Sequence, residues 1–427
     1  MPVRILHLST RLILGGSQEN TVLSCEGQSR LGHEVHLAFG PIFGPEGSLL
    51  DRVRGFRSAD GGQIRTHELV DLCREVSPVR DRRARGQILN LLESVRPDVV
   101  HTHSSKAGVL GRVAAWSWNR SLPAPRRCGI VHTIHGPPYM PVEGGIAARL
   151  KTLAANAMYT LAERHAAHRC HVIVSVADAM TEQFLARGIG TPEQYLTVAS
   201  GMEVDRYLSP ESASETRESM RESLGIGLGE FVIGTVARLA QHKGHDEILD
   251  AIGDELRART DWRLLWVGDG WWRDRLLDRV ARMGLTGRVL TPGLVPSERV
   301  AGYIRAMDVL VHPSRREGLP RTVPQALLCG VPVVATDVDG TREACINGRT
   351  GILVPIDDPN AMRNAVLWMY DHPAERAQLA ETGREMCKVR FSAGTMVDEL
   401  EKVYARAVRV ARGDADRAGR RGPTPAA

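Results

Sequence analysis

Val3-Arg-Ile-Leu-His-Leu8 closes in Ser9-Thr10, passes Gly15-Gly16 and opens a helical stretch to about Leu31. A short β-branched and apolar run, a glycine turn and a helix make one strand-turn-helix unit. The same unit recurs along the first half. Glu34–Phe39, Asp98–His101, Ile130–Ile134 and His171–Val176 read as strands, with helical stretches near Ile88–Val95, Ala107–Trp116 and Ala147–Ala167. Alternation of this kind specifies a parallel sheet covered by helices on both faces.

After residue 230 the scheme starts again, with strands expected at Phe231–Val236, Arg263–Val267, Val289–Thr291, Val309–His312, Val331–Thr336 and Gly351–Val354. The fold class is therefore α/β, with two Rossmann-like domains whose parallel sheets are expected to face each other across a cleft. A chain of 427 residues agrees, because single cores stop growing near ~250–300 residues. The boundaries expected are 1–205 for the N-terminal domain and 206–230 for a linker, since Ser209–Gly229 lacks an apolar strand. A C-terminal domain follows over 231–395. A helix over 396–412 packs back on the first domain, and 413–427, dense in Arg, Gly and Pro, is a disordered tail.

Hydrophobic residues at 43% and charged residues at 25% are ordinary for globular proteins and supply two cores. A net charge of +5 is too mild to argue for nucleic acid and is compatible with anionic substrates. The seven cysteines form no Cys-x-x-Cys pair and no zinc spacing, and read as reduced thiols. Cys170 and His171 are adjacent on a strand and point to opposite faces, so they make no half-site. No stretch approaches the ~20 apolar residues of a membrane span. The location expected is cytoplasmic.

Ligands in open α/β sheets bind beyond the carboxyl ends of the strands, so the loops there carry the chemistry. Arg238-Leu-Ala-Gln-His-Lys243-Gly244 follows the first strand of the second half and leads into a helix. Two cations beside a helix N-terminus suit a diphosphate, although a pair of solvated surface cations has the same sequence. His312-Pro-Ser-Arg-Arg-Glu317-Gly318-Leu319-Pro320 also joins a strand to a helix. A carboxylate there serves either a ligand or the helix start.

In order and spacing these blocks resemble the retaining glycosyltransferases of family 4, whose fold is called GT-B. Besides Gly15-Gly16, Arg238…Lys243-Gly244 and Glu317-Gly-Leu-Pro320, the blocks are Asp98-Val-Val-His-Thr-His103, His132-Thr-Ile-His135-Gly136, Ser200-Gly-Met-Glu-Val-Asp205, Val267-Gly-Asp-Gly270 and Gly330-Val-Pro-Val-Val-Ala-Thr336. The resemblance covers roughly residues 3–410. It implies that Arg238 and Lys243 hold the diphosphate of a nucleotide sugar, a UDP-sugar foremost, and that Glu317 bonds hydroxyls of the donor sugar. Gly318 with the backbone around Leu319 and Thr322 would line the sugar and phosphate, and Gly16 would let the backbone approach donor and acceptor. The loop Gly293-Leu-Val295 would meet the base, and His135 corresponds to the active-site histidine near the transferred sugar. The position that usually presents a carboxylate to the ribose is Gln325 here, which keeps an acceptor oxygen but not its charge.

No Asp-x-Asp motif sits where it would bind a metal, so neither an essential divalent ion nor a cofactor is expected. The implied reaction replaces the nucleoside diphosphate at the anomeric carbon by an acceptor hydroxyl with retention. The acceptor is expected to be lipid-linked or a small glycan, in surface polysaccharide or glycolipid synthesis. Arg80 and Arg83 of the cationic run Arg80–Arg85, and Lys106, are the acceptor-side candidates. The helical stretch Ala147–Ala167, with Arg149, Lys151 and Arg164, could face the inner surface of the cell membrane as well as pack in a core. Three alternatives stay open. They are a sugar phosphorylase or synthase with a soluble acceptor, a non-catalytic sugar-nucleotide-binding module, and a nicotinamide oxidoreductase. The last lacks a Gly-x-Gly-x-x-Gly after the first strand of either half.

Overall fold

The computed structural model describes residues 2–42, 47–136, 139 and 145–413. The chain divides into two compact units, Met1–Gly201 with Ala393–Ala427 and Met202–Ser392. In the first, seven strands form one sheet: β1 (Arg4–Ser9), β2 (Glu34–Phe39), β3 (Ile64–Glu68), β4 (Val99–His103), β5 (Gly129–Ile134), β6 (Val172–Ser175) and β7 (Tyr195–Thr197). Their order is β3-β2-β1-β4-β5-β6-β7, with every pair parallel. The strands that apolar runs do not announce, β3 and β7, are the two edges. Ile64-Arg-Thr-His-Glu68 buries only its first residue, and β7 is three residues long.

The second unit holds β8 (Phe231–Val236), β9 (Trp262–Val267), β10 (Val289–Gly293), β11 (Val309–His312), β12 (Val333–Thr336) and β13 (Gly351–Val354), in the order β10-β9-β8-β11-β12-β13. All five neighbouring pairs are again parallel. Each sheet reverses its winding once, between β1 and β4 in the first unit and between β8 and β11 in the second. Such a switch point opens a crevice at the carboxyl ends of the two strands. Both crevices are met by loops that the sequence singled out: Gly16 and Lys106 in one unit, Arg238 and Glu317 in the other.

Residues 206–230 are not a linker. They carry the helices Asp205–Leu208 and Arg217–Ser223 and belong to the second unit, which begins at Met202. Polar contacts hold them. Arg221, fully buried, pairs with Asp308 at 2.6 Å and donates to the carbonyls of Ala306 and Glu230, while Arg217 takes the other Asp308 oxygen at 2.7 Å. The final helix starts at Ala393, three residues ahead of the expected 396, and ends at Arg412. It lays Met396, Val397, Leu400, Val403, Tyr404 and Ala407 against Ile5, Val99, Val131 and Val172 of the first sheet, an i, i+3, i+4 stripe. Of the expected tail, residues 414–427 lie outside the described residues.

Candidate active site

In the second unit the site grows from two adjacent strand ends. β8 delivers Arg238, a 3-10 turn Gln241–Lys243 follows, and Gly244 caps the helix His245–Ala258. Gly244 has φ +76°, and a Cβ on it would stand 2.1 Å from the Pro313 carbonyl oxygen. Only a residue without a side chain lets this turn close on the loop after β11. Gly268, at φ +138°, likewise lies so close to the Ala237 carbonyl that a Cβ would meet it at 2.1 Å. That contact seats the Arg238 loop on the Val267-Gly-Asp-Gly270 block.

The closure brings Lys243 and Glu317 together, Nζ to Oε1 at 2.5 Å, both side chains largely buried. His312 Nε2 stands 3.2 Å from the same oxygen. The Asp339 carboxylate accepts from the Glu317 N–H at 2.7 Å and fixes the loop. Burial works against the Glu317 charge, yet Lys243 and then His312 overcome it and hold this carboxyl well below the usual carboxylate range. Glu317 is thus an anion ready to accept hydroxyl hydrogen bonds. Arg238 is exposed, its guanidinium 5.7 Å from the centroid of the Trp271 ring, with no ion-pair partner among the described residues.

Gly318, Leu319 and Thr322 follow Glu317 into the helix Thr322–Leu328, with Leu319 buried and Thr322 half-buried, its hydroxyl 3.3 Å from His312 Nδ1. Gln325, on that helix, is buried and donates its amide Nε2–H to the Tyr207 hydroxyl at 2.8 Å. Its carbonyl oxygen is the group left to accept. Val295 lies half-buried in the loop after β10, beside the exposed Leu294. His312, Asp339, Trp271 and Tyr207 carry no motif of their own. Only the strand order shows that they reach the expected residues.

In the first unit, Gly16 is exposed as the opening residue of the helix Gly16–Arg30 after β1. His135 follows β5, its Nε2 3.1 Å from Nδ1 of the buried His103. His103 Nε2 is 3.0 Å from His7 Nδ1, and His7 Nε2 is 2.7 Å from Gln28 Oε1. Burial pushes His7 down to about 4, against the opposing bond from Gln28, and holds His101 and His103 well below the ordinary imidazole value, so all three are neutral. One nitrogen from each of these three rings lies within 4.8 Å of the others. A metal ion there would have to displace the His7–His103 hydrogen bond.

Lys106, in the first turn of the helix Ser105–Asn119, pairs with Asp81 at 2.5 Å and lines a cavity of about 450 Å³ with Arg11, Arg74, Val109, Met158 and Tyr159. Arg80 and Arg83 are not on that lining. Arg80 lies 3.8 Å from Asp71 and donates to the Val70 carbonyl, and Arg83 is exposed. The helix Ile146–Ala167 borders the cavity through Met158, Tyr159 and Ala162. It leaves Ile146, Leu150, Leu153 and Leu161 at least 52% exposed on one stripe. No helix of the described residues is long and apolar enough to cross a membrane.

Residues 14–205 match the model of Glycosyltransferase Family 4, and residues 230–372 match that of the Glycosyl transferases group 1. The chain belongs to glycosyltransferase family 4. This glycosyltransferase is 24% identical to the UDP-Gal:alpha-D-GlcNAc-diphosphoundecaprenol alpha-1,3-galactosyltransferase of Escherichia coli, over 94% of its own length and 96% of the relative's. It superposes on Anabaena HepE, solved with UDP and glucose, with a TM-score of 0.75 at 19% identity, covering 94% of this chain and 99% of the other. A sucrose-phosphate synthase from Thermosynechococcus elongatus gives the same TM-score of 0.75 at 19% identity, over 96% and 100%. The two α/β units of the glycosyltransferase are thus those of the GT-B fold.

Proposed function

We propose that the enzyme transfers a hexose from a UDP-sugar to a hydroxyl of a lipid-diphosphate-linked glycan, with retention at the anomeric carbon. The observation that carries the donor half is the junction of β8 and β11, where Lys243, at the start of a helix, is paired with the anionic Glu317 and Arg238 stands exposed on the same loop as Lys243. As the bond to the leaving diphosphate breaks, negative charge grows on its oxygens, and the two cations stabilise it. Glu317 orients sugar hydroxyls, the Gln325 carbonyl takes a ribose hydroxyl, and His135 serves the transferred sugar. With the charge met by side chains, the reaction requires no divalent metal.

UDP as the nucleotude is supported by the E. coli relative, whose name specifies UDP-Gal, and by HepE, solved with UDP. The same relative's name specifies a diphosphoundecaprenol acceptor. A lipid acceptor is further supported by a cavity of the first unit that Arg11, Arg74 and Lys106 line and that is bordered by a helix with an exposed apolar stripe and basic residues. The same helix supports peripheral binding to an anionic membrane. Retention is supported by the family resemblance.

The test supplies UDP-sugars with either a polyprenyl-diphosphate-linked N-acetylglucosamine or a sugar phosphate, with and without EDTA, and reads UDP release and the anomeric configuration of the product. Turnover on the lipid, indifferent to EDTA and with the donor's configuration kept, is the expected result. Turnover on the sugar phosphate alone would instead favour a synthase, the activity named for the Thermosynechococcus neighbour.

A further inference from the structure

Four histidines of the first unit, His7, His101, His103 and His135, belong to one hydrogen-bonded network with two branches that meet at Gln28. One branch runs from Gln28 Oε1 through His7 and His103 to His135, at 2.7, 3.0 and 3.1 Å. The other runs from Gln28 Nε2 to the Tyr404 hydroxyl at 2.7 Å, to His101 Nδ1 at 2.7 Å, and from His101 Nε2 to the Thr133 hydroxyl at 2.7 Å. The register explains the convergence. His7 on β1 faces His101 on β4, and His103 faces Thr133 on β5, while the helix Ala393–Arg412 lays Tyr404 over that face.

A neutral imidazole has one N–H and one lone pair, so each bond fixes the next. With Gln28 Oε1 toward His7, His7 must carry its proton on Nε2. His7 Nδ1 then accepts from His103 Nε2–H, and His103 Nδ1 accepts from His135 Nε2–H. The neutral His135 ring then carries no proton on Nδ1. In the other branch Gln28 donates to Tyr404, Tyr404 donates to His101 Nδ1, and His101 Nε2–H donates to Thr133. Flipping the Gln28 amide reverses every bond and places a proton on His135 Nδ1 instead. The network therefore has two self-consistent proton orders, and the Gln28 orientation selects between them.

We propose that Gln28, hydrogen-bonded to Tyr404, is a positioning residue that sets the tautomer of His135 through His7 and His103. The inference rests on the reading of His135 as the histidine that serves the transferred sugar. In the order present, His135 Nδ1 can accept a hydrogen bond; in the reversed order it can donate one. Burial of His7 and His103 keeps both neutral, which is what lets the chain carry tautomer information without carrying charge.

Ring-nitrogen correlation spectra of ¹⁵N-labelled enzyme read the tautomers directly, in the wild type, in Gln28→Met and in the milder Tyr404→Phe, which removes one hydroxyl. The wild type is expected to show His7, His103 and His135 protonated on Nε2. Both variants are expected to show His135 as a mixture, with kcat for UDP-sugar turnover falling about tenfold or more at nearly constant KM. A wild-type His135 protonated on Nδ1, or one tautomer persisting in both variants, overturns the relay. A mixed tautomer with unchanged kcat overturns its role in turnover. If His135→Ala leaves turnover intact, the reading of His135 fails, while the spectra still decide whether Gln28 sets the tautomers.

Discussion

Lys243 and Glu317 lie 74 positions apart in sequence yet share one hydrogen bond, so substituting either leaves a largely buried charge without its main partner. Lys243→Met is expected to lower kcat by about a hundredfold, as loss of a single charge-stabilising group does, and to weaken donor binding with it. Steady-state kinetics with a UDP-sugar check this. Gly244→Ala acts on the same pair through the backbone, because its Cβ would stand 2.1 Å from the Pro313 carbonyl oxygen at a φ of +76°. A loss of about 1–3 kcal/mol is expected in chemical denaturation, together with weaker UDP binding. Gln325→Glu restores a carboxylate that the Tyr207 hydroxyl can satisfy by donating, and calorimetry is expected to show several-fold tighter UDP. The motif residues were legible because their types announce a diphosphate. His312, Asp339 and Tyr207 were not, since each acts through a contact that exists only after β8, β11 and β12 are side by side.

Among the elements, the helices Ser105–Asn119 and Ile146–Ala167 are joined by Arg112 and Glu163, 0% and 1% exposed, at 2.6 Å. Burial works against the Arg112 charge, but the neighbouring Glu163 outweighs it and holds the guanidinium above its ordinary value. Removing one partner strands the other, and Glu163→Ala is expected to cost about 3–5 kcal/mol in urea unfolding of the first unit. Arg112→Met with Glu163→Leu should recover most of it. All six strands of the second sheet were legible as apolar runs flanked by turns. The edge strands β3 and β7 were not: an edge needs little apolar material, and Ile64–Glu68 is mostly polar. Residues 206–230 misled for a related reason. Their anchors are Arg221 and Arg217 on Asp308, and ion pairs across 87 and 91 positions leave no periodic trace.

At the scale of the molecule, buried neutral histidines tie stability to pH in both units. His7 in the first and His245 in the second are each held at about 4 against an ordinary value of 6.5, by burial in both cases. Between those values the unfolded chain binds the proton and the folded chain does not. Stability is thus fully present above about pH 6.5 and is lost as the pH falls towards 4, at about 1.4 kcal/mol per unit and per histidine. Thermal melts across that window are expected to show Tm dropping steeply. The two-unit plan was legible because the strand and helix alternation restarts at residue 231. That the last helix, Ala393–Arg412, belongs to the first unit is a matter of its apolar stripe meeting β1, β4, β5 and β6. The central claim for the whole enzyme is that the β8 and β11 loops hold the diphosphate of a sugar nucleotide. It is tested most directly by a panel of UDP-, GDP-, ADP- and dTDP-sugars, scored by thermal shift and nucleoside-diphosphate release on the wild type, Arg238→Ala and Lys243→Met. A UDP-sugar that stabilises the wild type and is turned over, with both effects lost in the two variants, is the predicted result; binding and turnover that survive both substitutions, or no sugar nucleotide bound at all, would contradict it.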